Sequence, residues 1–227
     1  MKQSVKSTFV GKIIDHLWDD ETRKAFHDWL KLIISFRGIW SFAPAVLTIF
    51  FVYWADGYAK PLISEKPNEI LAIVLMSLVV VVFLIRSWLY RLEIDYVLLL
   101  MAANFLCREF HFTGTDDAVV FIAAFVLAWV VYRKDHILAN IEDAGLFQVA
   151  LTGTIFTYFI AILIQRRVFK PTRLPLLPNE EFMHISLEEV MENIAHAYFL
   201  FCGIAAFFSI RNNRLKPPQK PGAKIVP

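Results

Sequence analysis

Glu189, Glu192 and His196 recur three and four residues apart in the stretch from Ser186 to Arg211, which is otherwise mostly apolar. At about 100° per residue these side chains fall on one stripe of a helix, and Phe199 and Gly203 extend the same face. Two carboxylates and an imidazole on one stripe can bind or pass a proton. Glu192 and His196, at i and i+4, can also offer an oxygen and a nitrogen to one metal ion, so a divalent metal is the one cofactor the pattern admits. Neither HExxH nor HxxxH occurs in the chain. Ser186 followed by Glu189 is a capping box, which predicts that the helix starts at Ser186.

The elements that must position these groups are membrane helices. Hydrophobic residues make up 57% of the 227 positions and the mean hydropathy is +0.52, whereas a little under half is usual in a soluble domain. Charged residues, 19% of the chain, gather in short runs between apolar segments. The expectation is an integral, polytopic, all-α membrane protein surrounded by lipid. Nucleic-acid binding has no support beyond ordinary basic residues. Cys107 and Cys202 lie in apolar stretches and read as small core residues, not as a disulfide framework.

Six segments are apolar enough to read as spans: about 39–53, 70–85, 94–112, 118–132, 145–164, and the one opening at Ser186. Residues 1–38 read as cytoplasmic amphipathic helices, 39–211 as the bundle, and 212–227 as a Pro- and Lys-rich tail. The leading segment has two destinations: the inner membrane surface, as its Trp residues and basic flanks suggest, or the cytoplasmic loops of its own bundle. Asp19-Asp20-Glu21 supplies a start signal within it. Arg86, Trp88, Tyr90 and Arg91 read as an interfacial anchor, and Asp95 as a solvated cap. With both termini in the cytoplasm, the inner segments hold 16 Lys and Arg and the outer ones 7. This is the positive-inside bias expected at an inner membrane. Arg166, Arg167, Lys170 and Arg173, in the last outer loop, run against it. Thr152, Gly153, Thr154 and Thr157 give the fifth span a small face suited to close helix contact, and to homo-oligomer or partner-subunit contacts.

This topology brings the end of the third span, Arg108-Glu109-Phe110-His111, to the same outer depth as the start of the sixth. An ionisable group at the centre of a span costs about 2.5–3.5 kcal/mol, so such groups face the bundle interior and pair. The expected site is a polar cluster of Arg108, Glu109, His111, Glu189, Glu192 and His196. It has four readings: ion pairs that hold two helices in register; a site that binds or relays a proton, cation or lipid headgroup; a metal site; and acyl transfer to lipid. The last rests on His111 and Asp116, whose H-x4-D spacing resembles that of glycerolipid acyltransferases, in which the His is general base and the Asp orients it. The resemblance covers six residues, and the Pro-Glu-Gly phosphate-binding motif of those enzymes is absent. The preferred function is non-enzymatic: a transporter-like or accessory membrane subunit with a buried acidic/His cluster. The alternatives are a metal-dependent hydrolase or acyltransferase acting on lipid, and a scaffold or sensor in a membrane assembly.

Overall fold

The structure, a computed structural model, describes residues 19–58, 65–110, 115–141, 145–165 and 180–215. Among these residues it is all-helical, with α1 (Asp20–Ile34), α2 (Phe36–Tyr58), α3 (Glu65–Tyr90), α4 (Glu93–Glu109), α5 (Thr115–Tyr132), α6 (Lys134–Ile141), α7 (Gly145–Gln165) and α8 (Glu180–Leu215). Four helices contain stretches long and apolar enough to cross a membrane: Gly38–Ala55 in α2, Lys66–Tyr90 in α3, Gly145–Gln165 in α7 and Leu187–Ser209 in α8. A shorter apolar stretch, Val119–Tyr132, lies in α5.

α8 is the element on which the others assemble. It packs along α7, α3 and α2, while α4 lies against α3 and α5. Between apolar helices in lipid, association rests on close packing, and glycines decide where backbones approach. A Cβ on Gly153 of α7 would stand 2.3 Å from Tyr198 Cε1 and 3.3 Å from the Ser41 carbonyl oxygen, so Tyr198 fits only over a glycine. Pro44, inside α2, has no N–H to donate to the carbonyl of Trp40 one turn earlier. Tyr198 donates its hydroxyl hydrogen to that carbonyl at 3.0 Å. The same side chain therefore fills the notch at Gly153 and satisfies the carbonyl freed by Pro44.

Several boundaries and environments differ from the sequence expectation. α8 begins at Glu180, so the Ser186 capping box lies inside the helix and does not start it. α3 begins at Glu65 and takes Pro67 into its first turn, where a missing N–H costs little. Arg86 is not an interfacial anchor and Asp95 is not a solvated cap: the two form an ion pair with 2% and 0% of their side chains exposed. The reason is the shortness of the α3–α4 connection. Only Arg91 and Leu92 separate the helices, with Arg91 at φ 54°, so both residues are drawn into the bundle. Cys202 is buried as expected, but Cys107 is exposed on α4.

Asp19 caps α1, accepting the Thr22 N–H at 2.8 Å. Trp29 donates to Thr152 Oγ1 at 2.8 Å, and Lys134 contacts Asp19 and Thr22. α1 is thus tied to the bundle at α6 and α7, while Phe26, Leu30 and Ile34 remain exposed. The amphipathic stretch that precedes it lies outside the described residues.

Candidate functional site

Four helices bring polar side chains into one layer. α4 contributes Arg108 and Glu109 from its last turn, α8 contributes Glu192, Asn193 and His196, α7 contributes Tyr158, and α3 contributes Asn68. Arg108 Nη2 donates to Glu192 Oε2 at 2.5 Å and lies 3.4 Å from Glu109 Oε1. The Arg108 side chain is 27% exposed and the two carboxylates about 10% or less, so the guanidinium closes the layer toward the outside. Behind it His196 is fully buried. Its Nε2 faces Glu109 Oε1 at 3.7 Å, and its Nδ1 lies 2.6 Å from the Tyr158 hydroxyl.

This geometry permits two arrangements of one proton. If Tyr158 donates to Nδ1, the imidazole carries its hydrogen on Nε2, toward Glu109. If Nδ1 donates to the phenol oxygen, the phenol hydrogen turns to Met76 Sδ, 3.6 Å away, and Nε2 is left bare. In the second arrangement the bare Nε2 can take up a proton, giving an imidazolium that can release it again, while Nδ1 stays hydrogen-bonded to the phenol. The Tyr158 ring is held in place by Phe105, stacked on it at 4.6 Å, and by Phe199 at its edge.

One turn farther out, Asn193 Nδ2 donates to both the carbonyl and the Oδ1 of Asn68, each at 3.0 Å, which fixes α8 against the first turn of α3. Glu189 is half-buried, and the carboxylates that bear on it are Glu192, Glu109, Glu188 and Glu69. This end of the bundle is thus rich in negative charge, with Arg108 as the cation inside the cluster.

Of the residues singled out in the sequence, Arg108, Glu109, Glu192 and His196 meet, and Glu189 stands above them. His111 lies outside the described residues. Asp116 falls in the first turn of α5, and its side chain is likewise outside them, so the His111/Asp116 pattern has no geometry to report. Glu192 and His196 share a stripe, but Glu192 is turned to Arg108 and His196 to Tyr158. Among the described residues no three His, Cys, Asp or Glu side chains converge as a metal site would require.

Sequence reasoning missed Tyr158, Asn68 and Asn193. A signal for the first was available: Tyr158 follows the hydroxyl-bearing face of α7 by one position, where its phenol would need a partner. The chain matches no protein-family model, no curated protein and no solved structure.

Proposed function

We propose that this is a small multi-pass protein of the inner membrane whose Arg108–Glu109–Glu192–His196–Tyr158 cluster binds a proton, acting as a transporter-like or accessory subunit and not as an enzyme. The observation that carries the reading is His196, fully buried, with one ring nitrogen hydrogen-bonded to a phenol and the other directed at a carboxylate. A helix-to-helix clamp needs only the Arg108–Glu192 pair. The imidazole and the phenol lie behind that pair, where they add buried polar atoms that a clamp does not use.

The proposed topology has six crossings with both termini in the cytoplasm. α2, α3, α7 and α8 supply four crossings, and α4 and α5 the other two. At 1.5 Å per residue the 17 residues of α4 reach about 26 Å, close to the hydrocarbon thickness of about 30 Å. α5 exposes Val120, Phe121, Phe125 and Leu127, a surface suited to lipid. α1 then lies at the cytoplasmic end with Phe26, Leu30 and Ile34 toward the membrane surface.

The test compares wild type, Glu192→Gln and His196→Ala, purified in detergent and reconstituted in lipid vesicles. Thermal stability is followed against pH, and proton flux with an entrapped pH-sensitive dye. The expected result is that both variants are produced like wild type but lose its pH dependence. If they retain wild-type pH dependence and flux, the cluster is architectural. Elemental analysis of the same samples addresses the lipid-hydrolase alternative: a stoichiometric transition metal present in wild type and lost in both variants would replace the proton reading with a metal-dependent one.

A further inference from the structure

Arg86, near the end of α3, and Asp95, in the first turns of α4, pair at the opposite end of these helices from Asn68 and Arg108. Arg86 Nε donates to Asp95 Oδ1 at 2.9 Å, and Nη2 stands 2.8 Å from the same atom. Asp95 Oδ2 is buried and accepts no hydrogen bond among the described residues. An ionised carboxylate so placed bears the desolvation penalty of a full charge while using one of its two oxygens. The guanidinium likewise leaves one buried nitrogen, Nη1, without a hydrogen-bond partner among the described residues, but it has support of another kind. It lies 5.4 Å from the centre of the Tyr90 ring and 5.0 Å from that of Phe207, and the two rings contact each other edge to face. Aromatic faces stabilise a cation without an anion beside it.

We propose that Asp95 Oδ2 is a second proton-binding site, at the far end of the bundle from His196. One proton adds to Oδ2, and the pair passes from zero net charge to +1. Oδ1 continues to accept the Arg86 Nε–H and to face Nη2, and Tyr90 and Phe207 hold the positive charge that Asp95 no longer balances. A neutral hydroxyl lacking an acceptor costs less than a half-used buried anion. The titratable groups bearing on Asp95 are Arg86 from α3 and the buried Cys202 thiol from α8; Tyr90 faces the guanidinium, and the hydroxyl of the neighbouring Tyr96 donates to the Ser87 carbonyl. None belongs to the outer cluster, so this site stands or falls separately from the function proposed above.

The experiment is infrared difference spectroscopy of the full-length protein in detergent, carrying isotope-labelled aspartate and titrated with acid. An aspartic acid carbonyl band should grow as the pH falls, vanish in Asp95→Asn and persist in Glu192→Gln. Phe207→Leu, which removes one ring of the cage and keeps an apolar side chain, should move the midpoint to lower pH by about one unit. Absence of the band down to the pH of unfolding, its survival in Asp95→Asn, or an unmoved midpoint in Phe207→Leu overturns the proposal and leaves a permanent ion pair clamping the α3–α4 hairpin. If Asp95→Asn does not fold, the Phe207→Leu midpoint decides alone.

Discussion

Replacing Arg108 by Gln should cost more than replacing the Glu192 it binds by Gln, although each substitution ends the same ion pair at 2.5 Å. In Arg108→Gln, Glu109 and Glu192 lose the guanidinium between them, and the buried His196 is the remaining group that can offset them. Loss of one partner from a buried pair costs about 3–5 kcal/mol. Because the Arg108 side chain is 27% exposed, water reaches the gap, and the lower end of that range, about 3 kcal/mol, is expected. In Glu192→Gln the guanidinium keeps Glu109, 3.4 Å away, and the new amide oxygen can still accept. The loss is then the difference between a charge-assisted and a neutral hydrogen bond, about 1–1.5 kcal/mol. The double variant has neither a bare carboxylate pair nor a bare cation, so its cost should fall short of the sum by about 1–2 kcal/mol. Equilibrium unfolding in mixed micelles with a denaturing detergent measures all three. Equal costs for the two single variants, or strict additivity in the double, would refute the assignment of Arg108 as the counter-charge of the whole layer.

Tyr158→Phe leaves His196 Nδ1 buried without its 2.6 Å partner, so a loss of about 1–3 kcal/mol in the same unfolding assay is expected. An unchanged midpoint would show that the phenol is not needed there. Gly153→Ala should destabilise by about 1–3 kcal/mol through the clash with Tyr198, and Tyr198→Leu in the same chain should remove most of that penalty. A Gly153→Ala protein as stable as wild type would contradict the notch. At the other end, Lys134, and then Thr22, holds the Asp19 carboxyl far below the usual range. A carboxylate lowered on folding contributes stability that is present above its unfolded value, about 3.9 for Asp and 4.3 for Glu, and lost as pH falls through the folded value. Hydrogen exchange should therefore find α1 protected at about pH 4 and released only in stronger acid, whereas Lys134→Met should expose α1 at neutral pH; protection that disappears near pH 4 in wild type would count against the Asp19–Lys134 tie.

The stripe on α8 was readable because a polar residue inside an apolar helix has few reasons to be there, and helical spacing places Glu192 and His196 together. The approach of Arg108 to Glu192 followed from the order of the segments and the preference of charged groups for the bundle interior. The same preference applied to Arg86 and Asp95, yet they read as membrane-edge residues because each stands near the end of an apolar run. What hid them was length: α3 continues to Tyr90 and α4 begins at Glu93, and nothing in the local pattern announces so tight a connection. Tyr158 was hidden for a different reason, since a tyrosine in an apolar run is as well explained by an interface as by a buried hydrogen bond. Cys107 illustrates the limit of composition: an apolar segment says that a residue is out of water, but not whether it faces protein or lipid.

Between the His196 layer and the Arg86–Asp95 pair, α3 offers Met76, Val79 and Phe83 and α8 offers Phe199 and Cys202, all buried, with the rings of Phe83 and Phe199 5.2 Å apart. Such an apolar layer polarises little, so in the proposed membrane topology a transmembrane voltage would fall steeply across it. A unit charge transferred from one side of Phe83 and Phe199 to the other at 100 mV would gain or lose up to about 2.3 kcal/mol. The two aromatic rings thus give the molecule the form of a small capacitor, with ionisable plates on either side of an insulating middle.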